Sequence, residues 1–457
     1  MRSCTIRLRK QSPHLTTYLV GRELFSFNVW VAWALGFCYH IDADQLRLAL
    51  EELVEFQYPL LTGRLRISER GHRYVDNSNK GFSFLIEEDK ERTLEEVNAS
   101  FVLDETLETE PINGLPGSFV EPLQPHLFAN GQDCILKVRL TNVQDGSVLG
   151  FSFAHCIADA EAMGQFIKDL AATYTKQAPL VWNPSRLPLQ LLMLTAAGTK
   201  PTLAPDPSAG CATAEEKVVA SLPQLQPVPS TFEGCVKAEM WDAWGLTLAD
   251  RKVGAAVSHQ VLHVPGRCLE QLRQNVINSA YAKQHNFTTF SVHDCISGLI
   301  WTIREAADGN DPSSGLKRPI LFVADLRRHT AGALRTPERH WGNLVTTQVV
   351  QPPAASEPPP SDMTGCLHET LAAAACAVRS GVRSFYSDPE GLQKAWTGVL
   401  QMEDVVYWRN ARTTPGFSPS RDSACCMSSW RGTSGESADF GQGLPAISVG
   451  RMENSLT

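Results

Sequence analysis

The stretch Val148 to Tyr174, VLGFSFAHCIADAEAMGQFIKDLAATY, changes its hydrophobic period in mid-course. Leu149, Phe151 and Phe153 alternate with smaller residues, the period-two signature of a strand with one buried face, and the alternation stops at His155. From Ala160 onward, Met163, Ile167, Leu170, Ala171 and Tyr174 recur at helical spacing. A strand therefore feeds a short turn and then an amphipathic helix. His155 stands at the end of the strand, and Asp159 stands where the helix begins.

Two readings compete for this His-x-x-x-Asp spacing. In the plain one, Asp159 is an N-cap, Glu161 favours the helix dipole from the first turn, and His155 is a surface residue at a strand end. In the other, a neutral imidazole at a strand end acts as general base on a hydroxyl or amine, which then attacks an acyl carbon. Two fixed letters in five do not decide between them. The rest of the chain has to.

At 457 residues the chain is long for a single core and comfortable for two domains. Its net charge of -8 argues against a nucleic-acid partner, whose phosphates call for a basic face, but leaves room for an anionic co-substrate held by a local cluster of cations. The twelve cysteines fall in no C-x-x-C pair and no Cys/His spacing typical of zinc, so no metal site is expected. No basic-then-apolar leader opens the chain, which predicts a cytoplasmic protein with free thiols. Leu24 to Ile41 is the long apolar run, but it carries Ser26, Asn28 and Gly36 and reads as buried strand with no membrane span.

Taken in order, Asp42 or Asp44 is expected to cap a helix with Leu46, Leu50, Leu53 and Val54 on one stripe. Tyr58-Pro59 ends it, and Leu61 to Ile67 resumes as strand. The proline-punctuated stretch from Pro179 to about Gly254 reads as a crossover linker. Beyond it the pattern predicts a strand over 259–264, a helix over 268–284, and a longer helix from Phe287 with Thr288 or Thr289 near its start. His293 and Asp294, adjacent on that helix, project in different directions and are read as structural. Ile320 to Ala324 reads as a buried strand ending in Asp325-Leu326-Arg327, Trp341-Gly342-Asn343 opens another, and Thr364 to Val382 reads as helix.

These segments carry a series of signatures in order: Gly63-Arg64-Leu65 after Tyr58-Pro59, His155-Cys156-Ile157-Ala158-Asp159, and the Phe287 to Trp301 helix. Asp325 to Arg327, Gly342-Asn343, Ser429-Trp430 and Asp439-Phe440-Gly441-Gln442-Gly443 complete it. Over nearly its whole length the chain resembles the BAHD acyl-CoA-dependent acyltransferases of plants and fungi, marked by HxxxD and DFGWG. The resemblance implies an α/β fold like chloramphenicol acetyltransferase, with two domains of mixed sheets covered by helices and a channel between them. The expected division is an N-terminal domain over 1–180, a crossover over 181–254 and a C-terminal domain over 255–457. It further implies acyl-CoA as co-substrate, a small-molecule alcohol or amine as acceptor, no bound cofactor or metal, and a monomer working in secondary metabolism.

The same resemblance assigns roles to residues. His155 is the general base; Asp159 points away from the channel and is bridged to Arg327; Asp439 and Gly441 support the fold; Ser428 is a candidate oxyanion donor, and Trp430 packs beside the acyl group. Three departures stand against the pattern. Ala160 replaces the glycine after the aspartate, Gln442 replaces the tryptophan of DFGWG, and the chain ends soon after Gly443 where members continue through further strands, so a truncated C-terminus with an open sheet edge beside Phe440 is expected. These departures motivate the alternative of a non-catalytic acyl-CoA-binding or accessory protein. A thiol mechanism through Cys156 is disfavoured because successive residues of an extended backbone point to opposite sides. A peptide-synthetase condensation domain would place a second histidine where Ala154 stands.

Overall fold

The structure is a computed structural model that describes residues 1–10, 17–19, 29–67, 73–76, 78–99, 119–123, 131–177, 264–307, 316–325, 327, 341–353, 363–388, 425–427, 437–443 and 447–455. Its first half contains β1 (Arg2–Ile6), β2 (Thr17–Tyr18), β3 (Val29–Phe37), α1 (Ala43–Phe56), β4 (Arg64–Ile67), β5 (Arg73–Asp76), β6 (Phe82–Glu88), α2 (Leu94–Ala99), β7 (Leu136–Asn142), β8 (Ser147–Ala154) and α3 (Ala160–Tyr174). Its second half contains α4 (Gly266–Asn278), α5 (Ala280–Gln284), α6 (Val292–Ala307), β9 (Ile320–Asp325), β10 (Val345–Val350), α7 (Met363–Ser387), β11 (Cys425–Met427) and β12 (Ile447–Ser455). A six-stranded sheet runs β1-β6-β7-β8-β3-β12, and two three-stranded sheets run β10-β9-β11 and β2-β5-β4. The first is mixed, since β6 and β7 are parallel while β7, β8, β3 and β12 pair antiparallel. The second is mixed too, with β11 parallel to β9 and β10 antiparallel to it.

β8 is the strand that positions the site, and it is buried on both faces rather than one. On one face Phe151 and Phe153 meet Phe166 of α3 edge-on, with ring centroids 6.3 and 5.5 Å apart. The other face approaches the backbone at Phe119 so closely that a Cβ on Gly150 would lie 1.8 Å from the Phe119 carbonyl oxygen. Flanking pairs to β3 and β7 fix its register, Trp30 opposite Ala154 and Leu136 opposite Phe153. The end of β8 therefore has little freedom to shift.

Local chemistry sets the other boundaries. Asp42 is the cap of α1, its carboxylate accepting from Gln45 N at 2.7 Å, and Leu46, Leu50, Leu53 and Val54 form the buried stripe. After Tyr58 the chain turns through a 3-10 segment, Pro59–Thr62, so the strand begins at Arg64 and not at Leu61. The helix expected over 268–284 divides at Ser279, whose Oγ accepts from Ala282 N at 3.0 Å and starts α5. The cap of α6 is Ser291, in place of Thr288 or Thr289: its Oγ accepts from Asp294 N at 3.1 Å while Asp294 Oδ2 accepts from Ser291 N at 2.7 Å. Asp294 also holds Arg379 of α7 at 3.1 Å, and His293 lies edge-on to Phe322, its pKa pushed down by burial.

Residues 447–455 correct the expectation of an open edge. β12 pairs antiparallel along β3 from Ile447 opposite Gly36 to Ser455 opposite Val29, with a register shift between Ser448 and Gly450, so the β3 edge is covered. The crossover expected over 181–254 and residues 259–263 of the strand expected over 259–264 lie outside the described residues, while Val264 is exposed and outside any strand. No described helix is long and apolar enough to cross a membrane.

Candidate active site

His155 follows the last residue of β8. Ala154 N still donates to Ile135 O at 2.9 Å, and Ile157 N donates back to Ala154 O at 2.9 Å, so the chain leaves the sheet in a tight turn. Cys156, Ile157, Ala158 and Asp159 are all buried, whereas His155 is half-buried. The imidazole is thus the group of this loop that a substrate could reach. Cys156 is inaccessible, a poor position for a nucleophilic thiolate.

Asp159 does two things at once. As N-cap of α3 it accepts from Ala162 N through Oδ1 at 3.0 Å. It also meets Arg327 in a fork, Nη1 to Oδ2 at 2.9 Å and Nη2 to Oδ1 at 3.0 Å, and accepts from Leu344 N through Oδ2 at 2.8 Å. Asp159 is 1% exposed and Arg327 3%, so the pair is one of the buried kind that is costly to break from one side. Burial alone would lower the Arg327 pKa, but Asp159 and Asp325 outweigh it and hold the guanidinium above its ordinary value. Nη1 also donates to Asp325 Oδ1 at 3.0 Å, and Nη2 to the Gly342 carbonyl at 2.7 Å.

The loop from Trp341 to Leu344 is thereby stapled onto the His155 turn. Trp341 Nε1 donates to Ala162 O at 3.0 Å, and its ring packs edge-on to Tyr58 at 5.3 Å. Tyr58 in turn donates to Asp169 Oδ2 at 2.7 Å inside the core, which ties the Tyr-Pro segment to α3. Gly342 has φ +152, a backbone state that glycine adopts without strain. Asn343 Nδ2 donates to the main-chain oxygen of His155 at 3.1 Å and lies 3.4 Å from its Nδ1. The sequence marks Gly342-Asn343 as a signature without giving it work; the contacts of Trp341, Asn343 and Leu344 are what it does not disclose.

Asp439 and Gly441 are built elsewhere. Asp439 Oδ1 accepts from Gly441 N at 2.9 Å and Gln442 N at 3.0 Å, Oδ2 accepts from Gly443 N at 2.9 Å, and Tyr39 OH donates to Oδ1 at 3.3 Å. Partial burial pushes the Asp439 pKa up, yet these donors outweigh it and hold the carboxyl below its ordinary range. Phe440 packs edge-on to Phe37 and Tyr174, at 5.2 and 5.3 Å. Phe37 ends β3 at the opposite end from Trp30, which neighbours the His155 turn, so the two motifs are separated by roughly 23 Å of strand. Gln442 is exposed. Ser428 and Trp430 lie outside the described residues. Among the described residues no group of three or more His, Cys, Asp or Glu side chains could hold a metal ion.

A half-buried imidazole on a turn locked from both halves of the chain is suited to proton transfer with a bound hydroxyl or amine. The Transferase family model matches residues 37–201, which contain that turn. No curated protein matches the sequence. Several solved structures are similar in fold. Vinorine synthase is 12% identical with TM-score 0.53, the match covering 98% of this chain and 87% of that one. TRI101 of F. graminearum, complexed with coenzyme A and T-2 mycotoxin, is 16% identical with TM-score 0.52, covering 97% and 90%. The TRI3 trichothecene 15-O-acetyltransferase of Fusarium sporotrichioides is 12% identical with TM-score 0.50, covering 98% and 88%. The resemblance to BAHD acyltransferases read from the motifs is met by this family match and by the α/β fold shared with these neighbours.

Proposed function

We propose that this protein transfers an acyl group from acyl-CoA to a hydroxyl or amine of a small-molecule acceptor, forming an ester or amide, with His155 as general base. The observation that carries the reading is the half-buried imidazole held on a turn whose other members are buried, clamped by the Asp159–Arg327 pair. His155 takes the proton from the acceptor as its oxygen or nitrogen attacks the thioester carbonyl. The same proton then passes to the departing thiolate, and no acyl-enzyme forms. Coenzyme A fits the reading because TRI101, of the same fold, is seen complexed with it. Ser428 as oxyanion donor and Trp430 beside the acyl group complete the proposed site, which lies between domains 1–180 and 255–457 joined by 181–254. We place the protein as a monomer in the cytoplasm, in secondary metabolism.

Asp159 and Arg327 are positioning residues on this view, and Asp439 and Gly441 shape the fold. The departures from the family pattern weigh little: Ala160 opens α3, where alanine is a good helix former, and Gln442 is exposed. The test is a screen of acyl-CoAs against pooled alcohols and amines, read by product mass, on the wild type and on His155→Ala. The variant should fold as the wild type does and transfer about two to four orders of magnitude more slowly. Turnover at the wild-type rate in His155→Ala would remove His155 from the chemistry, and acyl-CoA binding with no turnover on any acceptor would favour the non-catalytic alternative.

A further inference from the structure

The assignment of His155 as base leaves open what fixes the imidazole itself, because Asp159 is fully occupied by Ala162 N, Leu344 N and Arg327. A polar group within reach of the ring's Nδ1 comes from the second half of the chain. Asn343 is 2% exposed, and its Nδ2 bonds the His155 carbonyl at 3.1 Å and stands 3.4 Å from Nδ1. Its own main chain is held on both sides, by Arg327 on the Gly342 carbonyl at 2.7 Å and by Asp159 on Leu344 N at 2.8 Å. The ion pair thus fixes the two peptide groups that flank Asn343, and with them the point from which its side chain reaches the histidine.

We infer that Asn343 is a further positioning residue of His155: one carboxamide nitrogen grips the histidine's main-chain oxygen and faces its Nδ1, so this hold on the ring exists only when the two halves of the chain are docked. The bond at 3.1 Å is the stronger of the two contacts, since 3.4 Å is at the outer edge of hydrogen bonding. It fixes the peptide plane after His155 and with it the direction of the Cα–Cβ bond. The ring's other nitrogen, Nε2, lies across the ring from Asn343. This inference rests on the proposed role of His155, and the experiment below reads the ring without requiring turnover.

The imidazole is observed directly by 15N-histidine NMR across a pH series, on the full chain without ligand, with the His155 signals assigned by their loss in His155→Gln. Asn343→Asp replaces a donor by a carboxylate of the same shape. It should repel the His155 carbonyl and favour a protonated ring, moving the His155 titration midpoint up by about one pH unit while the other eleven of the twelve histidines stay where they were. Asn343→Ala should displace the His155 ring signals without that upward move. A His155 midpoint unchanged in Asn343→Asp, or His155 signals unchanged in Asn343→Ala, would overturn the inference. Loss of His155 from the reaction in the transfer screen would instead sink the proposed function and leave the Asn343 contact standing.

Discussion

Asp439 shows what a single side chain does in this protein without touching the chemistry. Its carboxylate gathers the N–H groups of Gly441, Gln442 and Gly443 and the Tyr39 hydroxyl, and two of those residues need the left-handed backbone, Gly441 at φ +107 and Gly443 at φ +68. Because its folded pKa lies below the ordinary 3.8, its contribution to stability is complete above that value and is lost as pH falls through the lower folded value. Asp439→Asn should therefore be less stable than the wild type at neutral pH, and the gap should close below about pH 4. Thermal unfolding of both proteins from pH 7 to 2.5 checks this; a gap of constant size would mean the charge is not what the loop uses.

At the scale of elements, β8 and α3 carry the site, and close packing rather than hydrogen bonding sets its precision. Gly150 is the tightest point, with the Phe119 carbonyl 1.8 Å from where a Cβ would be. β8 cannot retreat, because β7 and β3 hold it on both edges. Gly150→Ala should thus cost about 1–3 kcal/mol, seen as a lowered midpoint in denaturant, whereas Gly266→Ala, with nothing within 4 Å, should change stability by no more than about half that. Equal effects at the two positions would show that β8 can shift after all. Periodicity found β8, α1 and α3 because their buried faces repeat along the chain. It misplaced the starts of β4 and α6, since Pro59 bonding and the Ser291–Asp294 pair are choices among several possible caps.

For the molecule as a whole, the decisive contact spans 168 positions of sequence, from Asp159 to Arg327. Breaking it from one side leaves a buried charge, so Asp159→Ala and Arg327→Ala should each cost about 3–5 kcal/mol. The double variant should lose clearly less than the sum, because either change already strands the partner. Asp159→Ala carries the additional loss of the α3 cap, about 1 kcal/mol, and should be the worse of the two. Denaturant midpoints for the four proteins of this cycle decide it, and additive losses would mean that the two residues act independently in solution.

By itself the sequence determined the strand-turn-helix around His155, the capping position of Asp159, and the ordered signatures that resemble an acyltransferase. Those are local in the chain, and local periodicity and spacing record them. Only the tertiary structure decided that the Asp439 loop packs at the far end of β3, that β12 covers the edge of β3, and that Asn343 reaches the histidine while Trp341 and Leu344 lock its turn. Such contacts join residues far apart in sequence and depend on which faces meet when the halves dock. An asparagine beside a glycine reads as a turn in any chain, and the partner of its amide exists only once the fold has brought His155 within 3.1 Å of it.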